Sequence, residues 1–525
     1  MNYLLIEVRP ILSPPLTRCT TVLLSPTTNT PSYLIDAKNK SYKHQYANIY
    51  FTRLTMLRRS VEERAKERWK GLSGDPVYVR RVLDVIKSQL CWILGTIYMD
   101  MPLKANVLED IGRDHSIPAP PPRDKIFSDE DSIMLEDESG RIQLVGEKVT
   151  TARLVTGVII AALGVETPNG EFEVIDLCTA GLAPFAEGNA EADAMDVDGH
   201  PSSSTDEHIA VVSGLSIGAS SPADAQIQML VEFLAGEVGG PEDQKLAAQI
   251  SRLIIAGNSL SSVITSENGE DEEERKPRRF GAAPQVNFSP HPNIALSAHL
   301  QDLASVLPIH ILPGADDPSG AILPQQPFPR AMFGGAAGFE TFHCESNPAW
   351  LRVGSGDEGA ELPDASEGEV STLPSTRPRI TRSLLVTSGQ PVLDMYKYLP
   401  TPPSTLVSIA ASTLQWRHVA PTAPDTLWCH PYRERDPFVL RETPDLYLVG
   451  GMPQFGTGIV ADEPKKAGRR CRIVLVPSFA ESGVLVLVNL RTLGVQRVNF
   501  GVEGMSTGDG GQVDLDGKAL AMEEG

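Results

Sequence analysis

The side chains best able to do chemistry in this sequence are few and scattered. Asp316 and Asp317 stand together after an apolar run, with His310 just upstream. Two carboxylates and an imidazole could hold one divalent cation. The same Asp-Asp-Pro sequence also suits a tight turn whose carboxylates cap neighbouring backbone, and this is the favoured reading. The ten histidines show no metal-ligand spacing. Gly334-Gly335-Ala336-Ala337-Gly338 lacks the Lys and Ser/Thr that a phosphate-cradling loop requires. Six cysteines (Cys19, Cys91, Cys178, Cys344, Cys429 and Cys471) form no C-x-x-C pair. That excludes zinc and iron–sulfur modules of the usual spacing and reads as reduced intracellular thiols.

The elements that must carry these residues fall into two series. Tyr50, Leu54, Leu57, Val61, Ala65 and Trp69 recur at three- and four-residue spacing among Arg, Lys and Glu, which predicts an amphipathic helix. Short strand-like runs follow at Cys91–Met99, Ile133–Asp137, Arg141–Val145, Leu154–Gly164 and Glu171–Leu177, with a turn at Asn169-Gly170. Ile117–Pro122 is too rich in proline to pair. Five short strands in one compact stretch predict a small antiparallel barrel of OB type. Beyond residue 207 the pattern changes to strand, loop and helix in repetition. Strands are expected at His208–Val212, Leu253–Ala256, Ile309–Leu312, Ser383–Thr387, Leu446–Val449, Arg472–Val476 and Gly483–Asn489. Helices are expected at Ala223–Gly236, Ala295–Val306 and Leu406–Arg417. Such alternation predicts a layered α/β domain with functional loops at the strands' C-terminal ends.

Charge gives little help with partners. The formal net charge is −21, but four low-complexity stretches (186–207, 267–274, 357–369 and 503–525) together hold −24, leaving +3 for the rest. The folded part is close to neutral, so bulk charge does not argue for DNA binding. No apolar run reaches membrane-spanning length. Residues 1–40, rich in Ser, Thr and Pro, read as a disordered extension with a weaker transit-peptide reading. Arg275-Lys276-Pro277-Arg278-Arg279 is a candidate nuclear-import run or a plain basic loop. Arg123, Lys125, Arg141 and Lys148 lie in or beside the barrel, but its strands are short of aromatics for stacking bases, so a protein-docking barrel is preferred.

The second half resembles calcineurin-like phosphoesterases in its strand–loop frame. Those enzymes cage two cations with carboxylates, histidines and an asparagine, arriving in the order D-x-H, G-D, G-N-H-D/E, a histidine, and G-H-x-H. Here Gly214 and Ser216 fall where Asp and His are expected, and Gly257-Asn258 stands for G-D. Gly314-Ala315-Asp316-Asp317 stands for G-N-H-D, and Gly450-Gly451-Met452-Pro453 for G-H-x-H. The degenerate positions are therefore Gly214, Ser216, Asn258, Ala315, Asp316, Asp317, Gly451 and Pro453. Only Asp317 keeps the expected type, with Asn258 a weak substitute. Without anionic or imidazole ligands, little offsets the dehydration of two cations. The expectation is an inactive domain with no catalytic residue, metal or cofactor.

The ordered motifs APPPRDK (119–125), LEDESGRIQLVG (135–146), LVTGVIIAALG (154–164), VSGLSIG (212–218), IIAGNSL (254–260), ILPGADDP (311–318), HVAPTAPDTLWCHPY (418–432) and YLVGGMPQFGT (447–457) carry a further resemblance. The chain is similar to the small, B-type subunits of DNA polymerase delta over about residues 41–500. The resemblance implies an OB-fold barrel followed by an inactive calcineurin-like phosphoesterase domain of layered α/β class. The divisions are an extension at 1–40, the barrel at 41–185, an acidic linker at 186–207, the second domain at 208–500 with inserts near 266–285 and 355–380, and a tail at 501–525. It also implies a nuclear scaffold for DNA replication and repair. Its partners would be the C-terminal cysteine-rich module of the catalytic subunit, a third subunit and, through that, the sliding clamp. In some eukaryotes DNA polymerase zeta shares the subunit. Little direct DNA binding and no membrane contact are expected.

Overall fold

The computed structural model describes residues 16–36, 47–104, 123–186, 206–220, 223–261, 290–355, 380–461 and 469–501. Ile117–Pro122, the basic run 275–279, and most of the acidic linker, inserts and tail lie outside the described residues.

The first described segment departs from the expectation for residues 1–40. Residues 16–36 lie against the second half of the chain as an ordered strap, and β1 (Thr21–Leu23) pairs antiparallel with Val353–Ser355. Arg18 donates to the carbonyls of Leu234 (2.5 Å), Ala247 (2.8 Å) and Ile250 (2.9 Å). Arg252 donates to the Thr21 carbonyl at 3.2 Å, and buried Tyr33 stacks on Phe438 with ring centroids 6.0 Å apart. Local composition predicted disorder because every one of these partners is remote in sequence.

The helix α1 (Ala47–Arg68) buries Leu54, Leu57, Val61 and Ala65, with Trp69 just beyond it, against Trp92, Leu94, Ile159, Ala161 and Leu163 of the barrel. The barrel strands are β2 (Val77–Tyr78), β3 (Leu90–Asp100), β4 (Ser132–Glu136), β5 (Arg141–Val145), β6 (Ile159–Glu166) and β7 (Phe172–Thr179). A short helix, α2 (Glu147–Thr151), follows β5. Their order is β2-β3-β4-β5-β7-β6, and β3 closes the barrel by pairing β6 through Leu90–Thr96 and β4 through Thr96–Asp100. Alternation explains the near-continuous apolar run of β3: Cys91, Ile93, Ile97 and Met99 fill the barrel, while Trp92 and Leu94 face α1. The strand expected from Leu154 starts only at Ile159. Gly157 holds a φ of +89°, which breaks the extended run, while Leu154 and Val155 stay buried in the core outside the strand.

The second domain runs through β8 (His208–Val212), α3 (Asp224–Ala235), α4 (Pro241–Gln249), β9 (Ile250–Ala256), α5 (His291–Ala304), β10 (Ile309–Leu312), β11 (Phe342–Cys344), β12 (Ala349–Ser355) and β13 (Thr381–Thr387). It continues through α6 (Gln390–Tyr398), α7 (Leu406–Gln415), β14 (Leu446–Met452), β15 (Gly456–Ala461), β16 (Arg470–Pro477), α8 (Phe479–Ser482), β17 (Val484–Asn489) and β18 (Val495–Asn499). Two mixed sheets result, ordered β1-β12-β13-β14-β16-β15 and β11-β10-β9-β8-β17-β18. Period-two alternation sorts their side chains into layers. Ile209, Val211, Ile254, Leu384, Val386, Leu446, Leu448, Val486 and Val488 meet between the sheets. Ala210, Val212, Leu253 and Ile255 instead face α3 and α5, and Tyr447 and Val449 face α6 and α7. The architecture is thus an OB barrel followed by a layered α/β domain with mixed sheets. Gly334–Gly338 forms 3-10 turns against α5, where a Cβ on Gly335 would lie 2.0 Å from the Gln301 side chain.

Candidate functional site

Strands β8, β9 and β10 are mutually parallel in one sheet, and β13, β14 and β16 in the other. Their C-terminal ends bring Ser213-Gly214, Gly257-Asn258, Gly314–Asp317, Ser388-Gly389 and Gly450-Gly451 together. In open α/β sheets this is the edge where ligands bind. Here the loops lie against one another. Ser213 Oγ donates to the Ala256 carbonyl at 2.7 Å and accepts from the Gly451 N–H at 2.8 Å, tying the two sheets together. Gly214 N–H donates to Gly257 O at 2.9 Å, and Ser216 N–H to Asn258 O at 3.0 Å. Ser388 Oγ donates to Pro313 O at 2.6 Å. The approach is so close that a Cβ on Gly450 would lie 2.1 Å from Ala256 O, and one on Gly314 would lie 2.0 Å from Asn258 Oδ1. Backbone and small side chains fill the space beside Gly450 and Gly314.

Asp317 is buried, and its two oxygens accept from the Leu260 and Gly314 N–H groups at 2.8 Å each. Burial pushes its carboxyl up to about 6, against the pull of the surrounding backbone N–H donors. Asp316 is exposed, and its N–H donates to Asn258 Oδ1 at 3.2 Å. Ala315 and Pro453 are exposed, Gly214 is buried, and Ser216, Asn258 and Gly451 are half-buried. Behind this edge lies an amide cluster that the sequence did not reveal. Asn347 donates to Gln325 (2.7 Å) and Gln390 (2.9 Å) and accepts from the Ser388 N–H at 3.0 Å, while Gln325 donates to Gly314 O at 2.9 Å.

His310 does not join the aspartates. It is fully buried, with Nε2 2.5 Å from the Arg252 guanidinium and Nδ1 2.8 Å from Glu345. An arginine can only donate, so Nε2 accepts and the ring proton sits on Nδ1, directed at Glu345. Burial pushes the imidazole down to about 4. With both ring nitrogens engaged, the sequence-level pairing of His310 with Asp316 and Asp317 around one ion is not the arrangement found. Among the described residues no group of three or more His, Cys, Asp or Glu side chains is placed to hold a metal ion.

The concentrated polar chemistry lies instead where the barrel meets the second domain. Arg53 of α1 is fully buried, with Nε 2.8 Å from Asp436 Oδ2. Its other nitrogens donate to the carbonyls of Pro421 (2.7 Å), Ala423 (2.8 Å) and Gly157 (3.1 Å). His418 Nε2 donates to the same Asp436 oxygen at 2.9 Å, and its Nδ1 accepts from the Ala420 N–H, so the ring is neutral. Burial and the adjacent Arg53 push His418 down to about 4. Burial works against ionisation of Asp436, yet His418 and Arg53 hold its carboxyl well below the usual range. Arg417 reaches the other way and donates to Leu182 O (2.6 Å), Gly181 O (2.8 Å) and Ser60 Oγ (3.1 Å). Lys125, from the proline-rich motif, caps the end of α6 through Tyr396 O (2.5 Å) and Leu399 O (2.9 Å). Lys104 pairs with Asp425. The 421–427 loop thus receives Arg53 and Lys104 from the barrel side. Of the four basic residues read as barrel cations, Lys125 serves the junction and exposed Arg141 pairs with half-buried Glu136 at 3.0 Å.

Comparison with known proteins agrees with this architecture. Residues 45–177 match the family model described as "DNA polymerase delta subunit OB-fold domain". Residues 209–357 and 370–457 match the family model for the B subunits of DNA polymerases alpha and epsilon. The chain is 33% identical over 457 residues to the DNA polymerase delta small subunit of Oryza sativa subsp. japonica, covering 87% of this chain and 93% of the relative. It is 33% identical over 460 residues to the Arabidopsis thaliana protein of that name, covering 87% and 92%. The Saccharomyces cerevisiae protein of that name is 30% identical over 498 residues, covering 89% and 91%.

Proposed function

Since the chain belongs to the family of DNA polymerase delta small subunits, accessory subunits of a DNA polymerase, we propose that it is a non-catalytic scaffold. In this reading it bridges the C-terminal cysteine-rich module of the catalytic subunit and a third accessory subunit, which connects the assembly to the sliding clamp. It acts in the nucleus, in replication and repair synthesis, with polymerase zeta as a further user. The observation that supports the reading best is the closed strand-end edge. Ser213 bonds both Ala256 and Gly451, and the sole carboxylate of the expected type, Asp317, spends its oxygens on the N–H groups of Leu260 and Gly314. A two-metal hydrolase needs several anionic or imidazole ligands and an open water position at such an edge. A scaffold needs a fixed relation between its domains, which the buried contacts of Arg53 and Arg417 supply.

Co-elution of the purified chain with an isolated cysteine-rich module of a delta catalytic subunit tests this directly. A stable one-to-one complex, together with no manganese- or zinc-dependent phosphodiester cleavage, is the expected result. Two folded components that elute apart, or metal-dependent turnover lost in Asp317→Asn, would overturn it.

A further inference from the structure

A cleft opens where α1, α2 and β7 meet the end of α7, with a volume of about 690 Å³. It falls within the range of about 300–1,000 Å³ typical of ligand-binding pockets. The floor is apolar, built from half-buried Ala152 and Leu177 backed by buried Ile160 and Trp416, and the rim carries Arg64, Lys148 and Arg153. Arg68 also lines it, but that guanidinium is held by Asp176 at 2.7 Å, and Asp176 accepts from Trp69 Nε1 at 2.7 Å as well. Glu147 is the other carboxylate on the rim. Among the described residues neither Arg64 nor Arg153 has an ion-pair partner. The cleft therefore combines a cationic rim with an apolar floor and draws on both domains at once.

We propose that this cleft receives an acidic peptide segment carrying an apolar anchor residue, supplied by another subunit. The inference rests on the scaffold reading and gives one of its docking points a chemistry. Rim cations would set orientation and encounter rate, while desolvation of the anchor on the floor supplies most of the affinity. A single-stranded nucleic acid fits less well, because base stacking needs presented aromatic faces. The aromatic on the floor, Trp416, is only 4% exposed.

The test uses the full chain and a fluorescent glutamate-rich peptide with one central phenylalanine, beside an oligothymidylate of similar charge. The peptide should bind saturably and weaken as salt rises. Arg64→Glu combined with Arg153→Glu should reduce its affinity by about tenfold or more. The distant reversal Arg497→Glu should leave it unchanged. Replacing the phenylalanine by alanine should also cost about tenfold. Both rim side chains are at least partly exposed, so unchanged thermal unfolding of the double variant separates lost binding from lost folding. Absence of saturable binding overturns the proposal, as does binding indifferent to the reversals. Oligothymidylate binding that is the stronger and is lost in the same variant also overturns it, in favour of nucleic acid. Co-elution of the same preparations with the catalytic-subunit module reports on the scaffold reading separately, so either can fail alone.

Discussion

The strand-end edge and the domain junction solve opposite problems with opposite chemistry. At the edge, glycines and serines let the loops of two sheets approach until backbone groups satisfy one another, and the buried carboxylate of Asp317 accepts from two backbone N–H groups. At the junction, an arginine, an aspartate and a histidine are buried together, and the arginine also donates to carbonyls of both domains. Burying such charges seldom adds net stability over an apolar contact of equal size, but it is severe towards misplacement, because a partner removed leaves a buried charge alone. The difference teaches where geometry is being enforced. The edge of the fold that usually does chemistry is closed, and the contact that fixes one domain against the other is specified atom by atom.

That contrast can be broken most directly at Arg53. Arg53→Ala should destabilise the chain by about 3–5 kcal/mol, read as a fall in the urea midpoint, because Asp436 is left buried and uncompensated. A double variant, Arg53→Met with Asp436→Leu, should lose less than Arg53→Ala alone. A double variant as damaged as the single would mean that the carbonyl contacts, not the charges, hold the junction. Gly450→Ala at the edge should cost about 1–3 kcal/mol, since its Cβ would press on the Ala256 carbonyl. A neutral outcome in thermal unfolding would show the two sheets free to part there, and the edge less closed than its geometry indicates.

Acid titration sharpens the comparison because the two regions have opposite signs. His418 sits at about 4 in the folded chain against 6.5 unfolded, so its folded form binds fewer protons across that window. Stability from the junction is therefore lost as pH falls from about 6.5 to 4, and His310 adds to the same slope. Asp317 sits at about 6 against 3.8 unfolded, so its contribution runs the other way and declines as pH rises from about 4 to 6. Denaturation midpoints across this range should flatten in His418→Gln and steepen in Asp317→Asn. Identical profiles in both variants would remove the assigned protonation states. The smallest effect belongs to exposed Asp316. Its replacement by Ala should change stability by no more than about 0.5 kcal/mol and leave complex formation unaltered. A measurable loss in co-elution would instead give the edge a role in assembly.

Much of the fold was legible because its signals are local. The strands His208–Val212, Ile309–Leu312 and Arg141–Val145 occur as expected, since short β-branched runs bounded by turn residues leave few alternatives. The α1 stripe was equally clear. Arg53, however, sits among the charged positions between the stripe residues and reads as solvated, yet it is fully buried. Its partner Asp436 is remote in sequence, and no local pattern marks the pairing. The same reason hides the strap at 16–36 and the amide cluster of Gln325, Asn347 and Gln390. Strands β12, β15 and β18 and helices α4 and α6 were also missed. In β12, β15 and β18 polar or glycine positions break the run; α4 is polar over most of its length, and α6 opens with Gln390-Pro391.

The strap also orders events in time. Synthesis delivers Arg18 and Thr21 long before the carbonyls of Leu234 and Ala247 or the strand edge at Val353–Ser355 exist. A nascent chain must therefore carry this segment unpaired past the whole barrel, and the edge of β12 stays open until the strap returns to it. An exposed strand edge is a template for pairing with any other chain. Seating of the strap removes that template by pairing β1 with the β12 edge.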